Sequence, residues 1–324
     1  MRMLVTGGAG FIGSNLVEEL LKQGHFVRVI DNFSTGKGAN LDFDEKLDNN
    51  LEICQDTITS YAACLAVTGK IDYVFHLAAL ASVPRSIDEP SETNDVNVTG
   101  TLNILEACKY NSVKRVVFSS SSSIYGNQKG VVRKENMVPN PLSPYALQKY
   151  TAERYCTLYS QLYGLQTISL RYFNIFGPKQ NPDGMYATVI PAFIKSFLVG
   201  DKCFIHGDGE QTRDFTYVSN VVSANLLAIE KRKTSGEVVN IGCGTNISLN
   251  ELYSLLATIF NSKEPSLYDE ARPGEARHTL ADLRMAKKIL GYKPRVTFED
   301  GILKTAAFFS RIYKWDLEQI KNSL

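Results

Sequence analysis

Long apolar runs are missing from this 324-residue chain: no stretch approaches the roughly 20 residues that cross a bilayer, which excludes a membrane-spanning helix. An excess of either charge is missing too. Thirty-five lysines and arginines face 34 aspartates and glutamates, so no global field points to nucleic acid or to an anionic membrane surface. Six cysteines, at 54, 64, 108, 156, 203 and 243, form no Cys-x-x-Cys pair, and the four histidines at 25, 76, 206 and 278 are as scattered. They read as reduced thiols and isolated imidazoles, and no metal site is expected. There is no internal repeat and no low-complexity tract. Met1-Arg2-Met3 runs straight into an apolar stretch without room for a signal peptide, so a cytoplasmic location is expected. What is present is 44% hydrophobic residues, enough for one large core or two modest ones.

The first of these residues form a strand that runs into a glycine turn, Thr6-Gly7-Gly8-Ala9-Gly10-Phe11-Ile12-Gly13, followed by an amphipathic helix to about Gly24. Strand, Gly-x-x-Gly-x-x-Gly and helix in that order suit a dinucleotide. Gly7 permits the tight turn, Gly10 lets the backbone approach a pyrophosphate at the helix N-terminus, and Gly13 lets helix and strand pack closely. A second strand, Phe26 to Ile30, ends in Asp31. A carboxylate there suits the two ribose hydroxyls and repels a 2'-phosphate, which favours NAD over NADP; the competing reading is a cap on the Asn32-Phe33-Ser34 turn. Asp56-Thr57, after a third apolar stretch, reads either as an adenine contact or as a surface turn.

Strands and helices alternate through the first half of the chain, the pattern of a doubly wound parallel α/β sheet of Rossmann type. Ile71 to Leu77 is a fourth strand leading to Ala78-Ala79, small enough for the backbone to pass near a cofactor, and His76 within it reads as a packed structural residue. Val113 to Phe118 is a fifth, ending at the serine cluster Ser119 to Ser123; helix Tyr145 to Gln161 and strand Gln166 to Tyr172 complete the layer. Beyond about 175, Pro178, Pro182, Gly184, Gly207, Gly209, Pro273 and Gly274 punctuate shorter elements. A dinucleotide domain over 1–175 is therefore expected, rejoined by the chain around 214–243, with a smaller mixed α/β substrate domain over most of 176–324.

Tyr145 and Lys149 stand four residues apart, on one helical face, where an ammonium would lower the phenol pKa from about 10 toward neutrality. A phenolate near neutrality takes a proton from an alcohol. An isolated Tyr-x-x-x-Lys would be unremarked; behind a glycine turn and a serine cluster it describes a nicotinamide cofactor at one end and a tyrosine acid/base at the other.

With these residues in place the chain resembles the extended short-chain dehydrogenase/reductases, and within them the nucleotide-sugar 4-epimerases, over essentially its full length. Thr6 to Gly13, His76-Leu77-Ala78-Ala79, Asn97-Val98-Thr99-Gly100-Thr101, Tyr125-Gly126, Arg171-Tyr172-Phe173-Asn174 and Arg213-Asp214-Phe215 carry the resemblance. It implies that Tyr145 removes the sugar O4 proton, that hydride passes from C4 to NAD and returns to the opposite face, and that Ser121 hydrogen-bonds O4 with Ser122 beside the sugar. Lys149 would also bind the nicotinamide ribose. Further cofactor contacts are implied at Phe11, Ile12, Asn32, Leu77, Asn97 and Tyr172. On the UDP-sugar side the resemblance implies Arg213 and Arg272 as a diphosphate clamp, Asn174 near the diphosphate and sugar, and Ser82 and Tyr186 in the sugar pocket. A homodimer, paired through Leu102, Leu105, Tyr150 and Leu158, follows from the same likeness.

Sister reactions that eliminate water or carbon dioxide use an extra carboxylate beside the catalytic serine; Ser121-Ser122-Ser123-Ile124 supplies none, which leaves re-reduction of the ketone and hence epimerisation. Segments Ala81 to Ile87, Pro182 to Ala187 and Arg277 to Asp282 resemble the branch that prefers UDP-N-acetylglucosamine and its galacto epimer. Thr279, where glucose-restricted members carry tyrosine, would leave space for an N-acetyl group. UDP-glucose and UDP-galactose remain possible substrates on this reading. The alternatives are a UDP-glucuronate 4-epimerase, another nucleotide-sugar reductase, or an NAD-sensing protein, for which Tyr145, Lys149 and Ser121 would serve no purpose.

Overall fold

The computed structural model describes residues 1–183, 187–270 and 277–315. Seven strands build one sheet: β1 (Arg2–Thr6), β2 (Phe26–Asp31), β3 (Leu51–Gln55), β4 (Tyr73–His76), β5 (Arg115–Ser121), β6 (Gln166–Tyr172) and β7 (Glu237–Ile241). They lie in the order β7-β6-β5-β4-β1-β2-β3 and every pair is parallel. Parallel strands need helices on both faces, and the side chains obey that demand. Met3 and Val5 enter one buried cluster while Leu4 between them enters another, and Val117 divides from Val116 and Phe118 in the same way. Order reverses between β1 and β4, so the crevice for a ligand opens at their carboxyl ends, beside Thr6 and His76.

Helix Pro144–Tyr163 shows why the site is rigid. Ser143 caps it by accepting from the Ala146 N–H, Pro144 occupies the first turn, and Gly164 at φ +70° ends it in the left-handed conformation. Ala146, Lys149, Ala152, Glu153 and Cys156 form its buried stripe. Asn97 sits in a π-helical turn over Asp95–Thr99 that feeds helix Gly100–Tyr110. Such a turn rotates the preceding side chains against the rest of the helix.

Beyond residue 175 the chain packs a second cluster around Phe176, Phe215, Tyr217 and Phe298, whose rings meet mostly edge to face and in one pair stacked. Helices Val189–Val199, Leu249–Ile259 and Phe298–Ile312 enclose it. The main sheet is rejoined by helix Val218–Glu230 and β7, and again by helix Arg284–Leu290, whose Ala286 and Leu290 lie in the sheet's cluster. That last return lies outside the expected 214–243 segment.

Of the residues expected at an interface, Leu105 is fully buried in the chain's own core and Leu102 packs on the same cluster. The face of Gly100–Tyr110 that carries them is turned inward because β4, β5 and helix Tyr61–Thr68 need covering. Leu158 is 39% exposed, and Leu147 and Leu162 on its helix are more so.

Candidate active site

At the nucleotide end, Gly7 has φ +69°, and a Cβ there would lie 2.8 Å from the Ala78 Cα, so the turn presses directly against the end of β4. A Cβ on Gly13 would stand 2.1 Å from the Gly7 carbonyl oxygen. Gly10 begins helix Phe11–Lys22 with no side-chain cap, leaving the first-turn N–H groups pointed at the crevice. Asp31 Oδ2 accepts from the Ala9 N–H at 2.9 Å and Oδ1 from the Phe33 N–H at 2.8 Å. The carboxylate thus caps its own turn, as one of the two readings had it, and also holds the glycine loop. Asn32 closes the same turn by accepting from the Ser34 N–H, and Asp56 and Thr57 bond each other at the exposed end of β3. Space that a Cβ would fill, free helix N–H groups and a carboxylate at the end of β2 fit a dinucleotide with unsubstituted ribose hydroxyls.

Between this cradle and the reaction centre runs a buried polar line. Thr6 Oγ1 accepts from the Leu77 and Ala78 N–H groups at 3.1 and 3.0 Å, so its own hydrogen goes to His76 Nδ1 at 2.7 Å. His76 is therefore protonated on Nε2, which donates to Thr101 Oγ1 at 2.9 Å; Thr101 donates on to the Asn97 carbonyl. The loop Leu77-Ala78 is thereby fixed beside the cofactor cradle. Asn97 pins the next residues, its Oδ1 accepting from the Leu80 N–H and its Nδ2 donating to Gln148 Oε1. Ala79 lies in that same loop.

Burial, and secondarily Lys149, pushes His76 down to about 3. The unfolded imidazole titrates near 6.5. The stabilising contribution is complete above that value and is lost as acid protonates the unfolded chain first. Stability should fall by about 1.4 kcal/mol per pH unit below pH 6.5, reaching roughly 4–5 kcal/mol near pH 3. Denaturant titrations between pH 7 and 4 check this: His76→Asn should flatten the acid limb, and an equally steep limb would assign acid lability elsewhere.

At the far end, Ser121 Oγ accepts from the Ser123 N–H and hydroxyl at 3.1 and 2.9 Å, which leaves its own proton for the Tyr145 hydroxyl. Tyr145 is raised above its ordinary value by burial, and Ser121 is the group that pulls it back. The expected depression by Lys149 is absent. That ammonium rests over the Phe118 ring, 4.5 Å from its centre, and burial pushes it down to about 8. Both groups have lost water, and each pays more for its own charge than it gains from the other. The Tyr145 N–H donates to Ser86 Oγ, which donates to the Val83 carbonyl. Ser82 caps that short helix, accepting from the Arg85 N–H.

Several buried polar contacts carried no legible signal. Glu153, one turn beyond Lys149, takes Ser120 Oγ at 2.6 Å and a bidentate Arg171 at 2.7 and 2.9 Å. The Arg171 guanidinium lies over Tyr125, whose hydroxyl donates to Asn240. Asp214, fully buried, accepts from the N–H groups of Cys243, Gly244 and Ala281; burial raises it to about 6 against these donors. It thereby joins the end of β7 to the segment that carries Thr279. Tyr172, expected at the cofactor, turns its hydroxyl to Asn225, whose Nδ2 donates to it at 2.8 Å, so only its main chain is available to a ligand.

On the substrate side, Asn174 is exposed, adopts φ +28° and makes no side-chain hydrogen bond among the described residues. Sparsely populated backbone of this kind gathers at ligand sites. Ser122 lies beside Ser121 at the end of β5. Arg213 Nη1 donates to the Thr212 and Arg277 carbonyls, which holds the strand Thr212–Arg213 against the segment leading to Thr279. The Thr279 N–H donates to the Thr212 carbonyl, while its buried Oγ1 finds no partner among the described residues. Tyr186 and Arg272 lie outside the described residues. Among the described residues no cluster of metal-ligating side chains occurs, and no helix is long and apolar enough to cross a membrane.

Comparison with known proteins agrees with this geometry. Residues 3–242 match the model of the NAD dependent epimerase/dehydratase family. The chain is 39% identical to the UDP-glucose 4-epimerase of Thermotoga maritima solved with UDP-glucose, at a TM-score of 0.91, covering 96% of this chain and 99% of that one. It is likewise 39% identical to the UDP-N-acetylglucosamine 4-epimerase of Methanobrevibacter ruminantium in complex with UDP-N-acetylmuramic acid, at 0.91, over 96% and 98%. The UDP-glucuronic acid 4-epimerase of Bacillus cereus, solved with UDP-4-deoxy-4-fluoro-glucuronic acid and NAD, is 33% identical at 0.89, over 97% and 100%.

Proposed function

Because the chain belongs to the NAD-dependent epimerase/dehydratase family, we propose that it inverts C4 of a UDP-hexose, UDP-N-acetylglucosamine and its galacto epimer before others. The observation that carries this reading is a reaction centre without a usable carboxylate. Ser121 and Tyr145 face each other with serines on the strand end, and the carboxylate of Glu153 on the same helix is engaged by Arg171 and Ser120. With no acid/base left to expel water or carbon dioxide, a ketone formed here can only be reduced again.

Ser121 orients the sugar O4, and Tyr145 takes its proton when C4 is oxidised and returns it afterwards. The glycine turn and Asp31 would hold NAD, which would supply hydride acceptance and return at C4. Lys149 offers a cation one helical turn from the tyrosine, and the Leu77-Ala78 loop is fixed by Thr6. Asn174 and Arg213, with Arg272 on the strength of the family resemblance, would hold the diphosphate, a task suited to guanidinium forks.

NMR of purified protein with UDP-N-acetylglucosamine should reveal the galacto epimer without added oxidant, since the hydride is returned within one site. If neither acetylated nor plain UDP-hexose changes at C4 while NAD is bound, the epimerase reading fails.

Thr279 is the size gate for the C2 substituent, its unpartnered hydroxyl and short side chain leaving room for an acetamido group. Thr279→Tyr should lower kcat/KM for the N-acetylated sugar by about tenfold to a hundredfold relative to UDP-galactose, the range expected of overpacking a rigid pocket. Equal losses on both sugars in a folded variant would exclude the gate.

Assembly is proposed as a homodimer through helix Pro144–Tyr163, with Leu147, Leu158 and Leu162 as the apolar face. A monomer mass by light scattering at micromolar concentration would remove that proposal.

A further inference from the structure

Tyr145, Lys149 and Glu153 follow one another at four-residue intervals along helix Pro144–Tyr163, the first half-buried and the other two buried. Glu153 is 1% exposed and lies behind the reaction centre, out of reach of a sugar. Its two oxygens collect Ser120 from the end of β5 and Arg171 from the end of β6. Ser120 is the residue before Ser121, and Arg171 the residue before Tyr172. One carboxylate therefore ties the strand that carries the serine to the helix that carries the tyrosine and lysine. Ion pairs this deep are weak evidence of stability, since apolar residues of similar volume often do as well. Their value lies in geometry.

We propose that Glu153 is a positioning residue for the epimerisation step, setting the Ser121–Tyr145 separation through Ser120 and supplying the anion that keeps Lys149 charged. For its kinetic readout the proposal rests on the epimerase reading. The neighbourhood of Lys149 supports the second role. Tyr145, Glu153 and Cys156 face it from its own helix, His76 from β4, and the Phe118 ring from β5. Cys156 is held as a thiol and His76 as a neutral imidazole by burial, and Tyr145 is raised by the same cause. Glu153 is the one anion of the group, and it works against the burial that brings Lys149 down.

Length and charge can be separated. Glu153→Asp keeps the charge but is one methylene short of Ser120, so kcat should fall by about tenfold or more with KM little changed, and the alkaline limb of the pH profile should stay in place. Glu153→Gln keeps the reach and loses the charge. Its kcat near pH 6.5 should fall by only a few-fold, while the alkaline limb moves to lower pH by about half a unit or more. Because Glu153→Gln leaves Arg171 buried and unpaired, a Glu153→Gln/Arg171→Gln double variant serves if the single one does not fold.

The titration of Lys149 followed by NMR of lysine-labelled protein, assigned with Lys149→Arg, reports the charge effect without turnover. Its midpoint should fall in Glu153→Gln and hold in Glu153→Asp. Wild-type protein that leaves UDP-sugars unaltered would sink the epimerase reading, while the Lys149 titration would still judge Glu153. Variants that lose thermal stability yet keep the wild-type kcat, pH profile and Lys149 midpoint would overturn the proposal and leave Glu153 a structural ion pair.

Discussion

Tyr145→Phe should lower kcat by about 10²- to 10⁴-fold, with UDP-sugar affinity nearly unchanged. The ring is kept and only the hydroxyl is lost, so packing at the start of helix Pro144–Tyr163 survives. The Tyr145 main-chain N–H still donates to Ser86, and the helix cap at Ser143 is untouched. On the proposed mechanism, what disappears is the group that accepts the O4 proton and returns it. A hydroxyl used mainly in the transition state affects kcat and kcat/KM together, while binding to the ground state is spared. Steady-state kinetics beside calorimetric titration of the variant with UDP-sugar provide the check. Near wild-type kcat would assign the proton transfer to another group. Lost affinity with kcat intact would make Tyr145 a binding residue.

Much of this centre could be read along the chain because its parts are local. The glycine turn, Asp31 at the end of β2 and the Tyr145–Lys149 pair each lie within a few residues of the strand or helix that positions them, and the periodicity of those elements is strong. Strand Gln166–Tyr172 is read to the residue, since its flanks are unambiguous. Glu153 and Arg171 are different. Arg171 lies in a segment that carries the family resemblance, but nothing in the sequence marks a glutamate 18 positions earlier as its partner, and only the pairing of β5 with β6 beneath the helix brings them together. Asp214 lies in another such segment, yet its bonding role is not legible for the same reason: its partners at 243, 244 and 281 lie far away in sequence. Helical spacing fixes which groups share a face but not how much water each has lost, so the burial that raises Tyr145 is not legible in the Tyr145–Lys149 pair. Helix Arg284–Leu290 is not legible because it is short and its apolar residues are few. Its place in the core comes from β7, an edge strand that needs covering.

The glycines of the first turn offer the second large effect, and they separate folding from cofactor binding. Alanine is the better helix former by about 1 kcal/mol, so propensity alone would favour Gly13→Ala inside helix Phe11–Lys22. Geometry overrules it. The new Cβ would stand 2.1 Å from the Gly7 carbonyl oxygen, 2.8 Å from the Gly8 Cα and 2.9 Å from the Gly7 carbonyl carbon, all main-chain atoms that no rotamer can avoid. Helix and turn must separate, which should destabilise the protein by several kcal/mol, at or above the upper end of overpacking, and abolish NAD binding. Gly10→Ala meets a much milder obstacle. Its φ is −73°, open to any residue, and its Cβ comes no closer than 3.2 Å to the Gly7 oxygen, a few tenths of an ångström of adjustment. That methyl would instead project where the pyrophosphate must approach the helix N-terminus. Gly10→Ala should therefore melt close to wild type yet bind NAD at least about 30-fold more weakly, a loss near 2 kcal/mol. Thermal melts with and without NAD distinguish the two variants. A Gly10→Ala protein that gains the wild-type stabilisation from NAD would show that the cofactor does not lie against this turn, and a Gly13→Ala protein as stable as wild type would show that helix and strand are not packed as described.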